Sequence, residues 1–544
     1  MLEALSLRLG GLILLFSLVA CSTETFQVVF PSEGGSFRNP VILEASSEVS
    51  WFVDGKFLAK STRWKGALAE GERHIRAQRA SQSHEFVLYI EEALPDSTIR
   101  QFSSEDLSVM ELPTGRYRGL VTSSGLGHGV LEPATQAPTW HHYLHRRTQT
   151  LLRHHKDAAL TQRLEVQNYE DEQERHFTML SLTHNTNEDL TAELVYAGEY
   201  TLVYLDTVAI NSEYLKALIL QVTQAFETYI YQRVRQVFGG HVDVDNNSKV
   251  ILLFSPKINA SQRAIGFFYA GDLFAASEAY PSNEAEILYL AVPDEANPNF
   301  SVESLTATAC HELQHLVNFS LKTFSHIQED EPPLESLLVN EGLSHLAEDI
   351  CGYNLAGGNL LFVEHFLQDP HGINIVVDGQ IDSPEKRGAA YLLLRYAFEQ
   401  AGGMSFAFSE LEDAGGMNYL HSLAATNETG WQNVATNLDM SLAELLYQWH
   451  WAMMLADRPQ KQGLPSYNPR LFDPQTQTWQ GIDLYAGELL MPQGIKVHLQ
   501  GINMLAFGEL ERTNSQAFFE FYLNNPTTLE VLPDRQWQLL KLEE

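Results

Sequence analysis

From Phe26 to about Glu92 the chain alternates short apolar and polar runs: Phe26-Gln27-Val28-Val29-Phe30, Val41-Ile42-Leu43, Val49-Ser50-Trp51-Phe52-Val53 and Glu85-Phe86-Val87-Leu88-Tyr89-Ile90. A period of two marks half-buried strands, and Asp54-Gly55 stands where a hairpin turn wants positive φ. Residues 22–95 are therefore expected to form a small antiparallel β-sandwich. Over 96–160 the pattern is less regular, with Ser123-Ser124-Gly125-Leu126-Gly127-His128-Gly129 and Pro133 to Pro138 reading as linker. Strand-like runs return over 161–208, of which Tyr200-Thr201-Leu202-Val203-Tyr204-Leu205 is typical. Ser212 to Phe238 then takes a helical period through Leu215, Leu218, Ile219, Val222, Phe226, Ile230 and Val234. Residues 461–544 again show strands, such as Lys496-Val497-His498-Leu499 and Phe518-Phe519-Glu520-Phe521-Tyr522-Leu523, and are expected to form a small β domain.

The longest apolar run near the N-terminus, Leu12 to Ala20, is too short to span a bilayer as a helix and follows Arg8, which is the layout of a signal peptide over residues 1–20. Its end, Leu18-Val19-Ala20-Cys21 followed by Ser22-Thr23, resembles the lipobox of bacterial lipoproteins. The resemblance implies cleavage before Cys21, acylation of that cysteine and attachment at the cell envelope, with Ser22 pointing to the outer membrane in a Gram-negative host. The Trp51 to Lys56 hairpin is similar to immunoglobulin-like modules of bacterial surface proteins, which implies a spacer between membrane and working domain.

Composition narrows the partners. With 69 Asp and Glu against 35 Lys and Arg in 544 residues, the formal net charge is −34, which argues against binding nucleic-acid phosphates. An anionic body is also repelled by anionic lipid, so membrane attachment would rest on acyl chains at Cys21. Hydrophobic residues at 44% and charged residues at 19% describe a folded, multidomain chain rather than a disordered one. Three cysteines exclude a disulfide-built scaffold. Oligomeric state is not written in these numbers.

Two regions concentrate metal-binding side chains. His141, His142, His145, Arg146, Arg147, Arg153, His154, His155 and Lys156 form a basic tract without a Cys or carboxylate to complete a ligand set, and a solvated basic helix is its expected form. His311-Glu312-Leu313-Gln314-His315 is an HExxH pattern within an expected helix from a cap near Ser301 through Leu305, Ala309, Leu313 and Leu316 to Phe319. Histidines four apart on a helix present their rings on one face, at the spacing one tetrahedral Zn²⁺ needs, and the glutamate reaches the metal's water without being a ligand. By chance the bare pattern would occur in roughly one such chain in twenty, so a third donor has to be found. Asn340-Glu341-Gly342-Leu343-Ser344-His345-Leu346-Ala347-Glu348-Asp349 offers it, beyond a break at Pro332-Pro333. Glu341, His345 and Glu348 share one helical face, and spacing alone does not choose among them.

The setting Asn340-Glu341-Gly342 is similar to the third-ligand segment of glutamate zincins. By that resemblance Glu341 is the third zinc ligand, with His345 one turn on where a partner of the ligands belongs, and Glu348 or Asp349 as alternatives for orienting His311 or His315. From about 195 to 460 the chain resembles the hyicolysin-like zinc metallopeptidases. The match runs through Gly266-Phe267-Phe268-Tyr269, Asp272-Leu273-Phe274, Ser282-Asn283-Glu284, Ile287 to Leu290, the HExxH segment with Leu316 to Phe319, the Glu341 segment, and Gly388 to Tyr396. The fold class this implies is multidomain α+β. A zincin-type metallopeptidase domain over 209–460 carries an N-terminal immunoglobulin-like β-sandwich and a small C-terminal β domain. The ligands imply Zn²⁺ chemistry, with Glu312 as general base. Tyr391, and Tyr396 after it, are candidates for stabilising the oxyanion, since zincins often draw such a group from a later helix; both equally fit as core tyrosines. Ile287 to Leu290 is expected to pair with an extended peptide substrate.

Two further segments carry expectations. Asp243-Val244-Asp245-Asn246-Asn247 imitates the start of an EF-hand loop, but Ser248 replaces the glycine and Phe254 stands where the bidentate glutamate belongs, so a turn before a strand is expected. Cys310 and Cys351 flank the two metal-binding segments, as a disulfide or as two buried thiols. The sequence as a whole reads as a lipid-anchored, extracytoplasmic zinc endopeptidase acting on protein or peptide substrates. Its rival is a catalytically silent surface-binding lipoprotein on a zincin fold.

Overall fold

A computed structural model describes residues 26–90, 99–123, 139–160, 173–455, 465–482, 495–496 and 516–542, apart from short gaps within these ranges. The signal-peptide run and Cys21 lie outside the described residues. Among the described residues no helix is long and apolar enough to cross a membrane. The chain divides into two compact units, Met1–Glu91 and Glu92–Glu544.

In the first unit the strands Val41–Val53 and Lys56–Gly66 are joined by Asp54-Gly55, at φ of 50° and 76°. Two positive φ values are what a two-residue hairpin turn requires, and glycine adopts one without strain. Asp54 also accepts the His74 backbone N–H at 2.9 Å, tying the turn to the next strand, Gly71–Arg79. Val41–Val53 pairs with Val28–Phe30, Lys56–Gly66 and Gly71–Arg79, with a register shift between Glu44 and Val49. All six strands consequently belong to one hydrogen-bonded sheet, where two facing sheets were expected. The difference arises because one 13-residue strand runs through both halves. Leu43, Val49, Trp51, Ile75 and Leu88 fill its core.

In the second unit, Gly115–Ser123 lies between Gln516–Leu523 and Arg535–Leu542, antiparallel to both, and Ile99–Phe102 pairs with the far side of Arg535–Leu542. Part of the stretch read as linker thus supplies strands to a sheet completed by the C-terminus. Pairing between segments about four hundred positions apart leaves no trace in local periodicity.

A six-stranded sheet forms the centre, in the order Glu174–Leu180, Asn187–Ala197, Thr201–Asp206, Val250–Phe254, Ile287–Leu290 and Gly266–Phe268. Thr201–Asp206, Val250–Phe254 and Ile287–Leu290 are buried along their whole length and pair in parallel, as continuous apolar runs do when both faces are covered. Ile287–Leu290, expected to receive a peptide, has strands on both sides. The edge belongs to Gly266–Phe268, antiparallel to it. The helical period after Ser212 is realised as Glu213–Ala225, a π-turn stretch Phe226–Ile230 and Tyr231–Phe238. Helices Val302–Asn318, Leu337–Ile350 and Pro384–Gln400 complete the core that carries the site.

Candidate metal centre

The HExxH segment lies on the helix Val302–Asn318. Ser301 caps it by accepting the Ser304 N–H at 3.2 Å, and Leu305, Ala309, Leu313 and Leu316 are buried. His311 and His315 are one turn apart with ring centroids at 4.7 Å. The chain leaves the helix through a π-turn and the Pro332-Pro333 break, then returns as Leu337–Ile350. Asn318 Nδ2 donates to Asn340 Oδ1 at 2.6 Å, and this bond holds the start of the second helix against the first. Gly342 lets that helix approach Pro384–Gln400, since a Cβ there would meet the Ala390 backbone at 3.0 Å and Leu394 Cδ1 at 2.6 Å. Glu341 is thereby brought to 3.5 Å from His311 Nε2 and 3.6 Å from His315 Nε2.

A fourth donor arrives from the basic tract. That tract is a helix, Trp140–His155, but Trp140, Leu144, Leu151 and Leu152 bury one face of it, so it is packed rather than solvated. His141 Nδ1 lies 2.9 Å from Glu341 Oε1. The donor atoms of His141, His311, His315 and Glu341 all fall within 4.8 Å of one another. The helix is fixed in place by Trp140 edge-on to Phe267 (centroids 5.6 Å), by Arg147 Nε donating to the Tyr269 hydroxyl at 3.1 Å, and by its cap Thr139 bonding Asp382. Asp382 in turn pairs with Arg387, whose Nη1 is 3.0 Å from Glu341 Oε2. The signal for this contact was the stripe Trp140, Leu144, Thr148, Leu151, which marks a helix with a buried face.

This donor set suits Zn²⁺, which takes imidazole nitrogen and carboxylate oxygen in a tetrahedral arrangement. The chain itself leaves room for such an ion, because His311 Nε2 and Glu341 Oε2 are buried without a hydrogen bond; the Arg387 contact is an ion pair outside hydrogen-bond geometry. Partners behind the rings fix which nitrogen is offered. Glu348 Oε1 is 2.5 Å from His311 Nδ1. Ser344 Oγ donates to Gln314 Oε1 at 2.6 Å and is 3.0 Å from His315 Nδ1, so its lone pair accepts the ring proton there. His311 Nε2 is thereby left without a hydrogen bond, while His315 Nε2 has Ser344 Oγ at 3.5 Å. Glu348, one of the two alternatives open in the sequence, is the group that orients His311. Ser344 and Gln314 carried no sequence signal for this role. His345 sits beside Glu348 at 3.2 Å and faces the His311 ring at 4.8 Å.

Electrostatics follow from burial. Burial opposes ionisation of Glu341, but Arg387 and His141 hold its carboxyl well below the usual range. Burial alone would lower His311, yet Glu341 and Glu348 outweigh it and push the ring up to about 10. His315 is held well below its ordinary value, mainly by burial. Glu312, 2% exposed, is raised by burial against the opposing pull of His311 and His141. Its Oε2 accepts the Phe268 N–H at 2.9 Å, which anchors it to the edge strand. A cavity of about 470 Å³ borders His141, Gly266, His311, Glu312, His345 and Arg387. A second, of about 70 Å³, lies on the side of His315 and Asn318; His141 and Glu312 line both.

Tyr391 and Tyr396 are not brought to this cluster. The Tyr391 hydroxyl donates to Asp349 Oδ2 at 2.8 Å and accepts from Asn354 Nδ2 at 3.2 Å, while Tyr396 donates to Gln448 at 3.4 Å. Asp349 also receives Arg395 Nη1 at 3.0 Å and the Gly481 N–H at 2.9 Å, so it ties the Glu341 helix to later segments rather than to a ligand. Cys310 and Cys351 are free, buried thiols; burial and a hydrogen bond between them push the Cys310 thiol up.

No protein-family model matches the chain. It is 29% identical over 164 residues to the neutral metalloprotease ShpI of Staphylococcus hyicus, a match covering 29% of this chain and 36% of that protein. The chain thus spans about a third of the length of the curated relative it matches. The similarity is to a metalloprotease, and the His and Glu groups gathered above are the kind that such a protein needs to hold a metal ion.

Proposed function

We propose that the chain is a zinc-dependent endopeptidase that hydrolyses peptide bonds in protein or peptide substrates. The single observation that carries this is the buried convergence of His311, His315 and Glu341 beside a glutamate, Glu312, that is not among the ligands. His311, His315 and Glu341 would hold the ion. When bound, Zn²⁺ polarises a carbonyl and lowers the pKa of water from ~15.7 towards ~7. Glu312, aimed by the Phe268 N–H, takes the proton from the attacking water and delivers it to the leaving amine. The edge strand Gly266–Phe268 is where an extended substrate would align. Cys21 would carry the acyl chains that hold the protein at the bacterial cell envelope.

A second reading is favoured by His141. A catalytic zinc keeps one position for water, whereas the donor set here has four protein members. With the helix Trp140–His155 seated as it is, the centre is closed, which matches the catalytically silent binding lipoprotein or a latent enzyme.

The experiment is zinc content and cleavage of an unstructured protein by residues 22–544, with Glu312→Gln beside it. Zinc in both and cleavage only in the parent supports the peptidase. Zinc in both and cleavage in neither supports the closed centre, and zinc in neither removes the metal site and with it the peptidase.

A further inference from the structure

The segment that imitates an EF-hand has a partner that the sequence does not place beside it. The loop Asp243 to Ser248 leads into Val250–Phe254, and Glu286 immediately precedes Ile287–Leu290, the neighbouring parallel strand. The Ile251 N–H donates to the Glu286 carbonyl at 2.8 Å, which fixes this register. As a result the carboxylates of Asp243, Asp245 and Glu286 gather with oxygens within 4.8 Å of one another. Asp245 and Glu286 are wholly buried.

The donors present leave one of these oxygens, Glu286 Oε2, unsatisfied. Glu286 Oε1 accepts the Val244 N–H at 2.6 Å, but Oε2 is buried with no hydrogen-bond partner. Asp243 takes the Asn247 and Ser248 backbone N–H groups at 3.0 and 2.9 Å, and Asp245 takes the Asn247 side chain at 2.9 Å. Arg175 is the cation acting on Asp245, and it is the weakest of the influences there; burial and Asp243 come first and push Asp245 up to about 7. Burial and the neighbouring Asp245 likewise hold the Glu286 carboxyl well above its ordinary range, so the cluster carries its full negative charge only beside a cation. An unpaired buried carboxylate oxygen is costly, and a divalent cation neutralises this charge.

We propose that Asp243, Asp245 and Glu286 hold a Ca²⁺ ion between the leading ends of two adjacent strands. The donors are all oxygen, which selects a hard cation over zinc, and a bent loop beside several carboxylates suits the irregular shell of calcium better than the strict octahedron of magnesium. Glu286 supplies from the neighbouring strand the carboxylate that Phe254 fails to supply in the loop. The ion acts as a staple in the sheet. Ile287–Leu290 pairs with Gly266–Phe268, whose Phe268 N–H holds Glu312, so the staple supports the strand that aims the base. This assignment does not depend on the peptidase reading.

The test is calorimetric melting and isothermal titration of the zinc-loaded full chain with Ca²⁺ or Mg²⁺ at roughly 1 mM, the range of weaker extracellular calcium sites. Ca²⁺ is expected to bind once per chain and raise Tm by several degrees, with little effect from Mg²⁺. Glu286→Gln is expected to lose both responses and, without Ca²⁺, to melt no lower than the parent, because a buried carboxyl with one unpaired oxygen is gone. Should that variant not fold, Asp243→Asn, at the more exposed member, is expected to weaken Ca²⁺ binding at least about tenfold. No heat and no shift in the parent, an equal response to Mg²⁺, or an undiminished response in the variant tested overturns the assignment.

Discussion

His141 Nδ1 stands 2.9 Å from Glu341 Oε1, although the two residues belong to helices separated by about two hundred positions. The contact places an imidazole from Trp140–His155 against the carboxylate proposed to complete the HExxH centre, and it ties that cluster to a helix outside the motif.

If His141 closes the centre, removing its ring opens it. His141→Ala is expected to raise cleavage of an unstructured substrate by at least about tenfold while zinc stays bound, since three protein ligands suffice for a catalytic site. Cobalt substitution gives a second measurement, in which the visible absorption changes as one nitrogen donor is lost. Unchanged cleavage and an unchanged cobalt spectrum would show that His141 is no ligand.

Glu312→Gln keeps the shape and the bond from the Phe268 N–H but loses the proposed base. Cleavage is expected to fall by about 10²–10⁴, with zinc content and Tm nearly unchanged. Loss of zinc together with activity would instead give Glu312 a structural part.

Glu348→Gln and Ser344→Ala act behind the ligands. Each is expected to weaken zinc binding by about 10–100-fold, read by competition with a chelating dye. The first removes the charge that holds His311 Nδ1, and the second the group at His315 Nδ1.

Asp272 provides a pH readout away from the metal. It is 1% exposed, and burial pushes its carboxyl from an ordinary 3.8 up to about 7, against the bonds from Tyr289 and Asn283. The folded chain therefore holds this proton more tightly than the unfolded chain. Its contribution to stability is full below about pH 4 and is lost as pH rises through about 7. Tm of the parent minus that of Asp272→Asn should fall across that window, by an amount worth a few kcal/mol at most (~1.4 per pH unit of difference). A flat difference would contradict the burial argument.

Gly342→Ala should destabilise the second unit by about 1–3 kcal/mol, because the new methyl meets the Leu394 side chain at 2.6 Å and, behind it, the Ala390 backbone at 3.0 Å. Denaturant melting measures it, and zinc affinity should fall alongside as Glu341 shifts.

Much of the metal segment was legible because its information is local. The spacing of His311 and His315, the Ser301 cap and the Pro332-Pro333 break each act within a few residues, and the helices begin and end where those signals stand. The Asp54-Gly55 turn was legible for the same reason, since its two positive φ values are a property of two adjacent residues. The basic tract was half legible: its helix was expected, but counting charges hid the Trp140, Leu144, Leu151 stripe that buries it.

The sequence by itself determined which residues can bind a cation, since imidazoles one helical turn apart share a face wherever the helix goes. Only the tertiary structure decided which others join them. His141 reaches Glu341, Glu348 rather than Asp349 reaches His311, Tyr391 turns to Asp349, and Glu286 meets Asp243 and Asp245, because strand order and helix packing set those distances. Such contacts link positions that local periodicity cannot relate, and burial then fixes which groups hold charge.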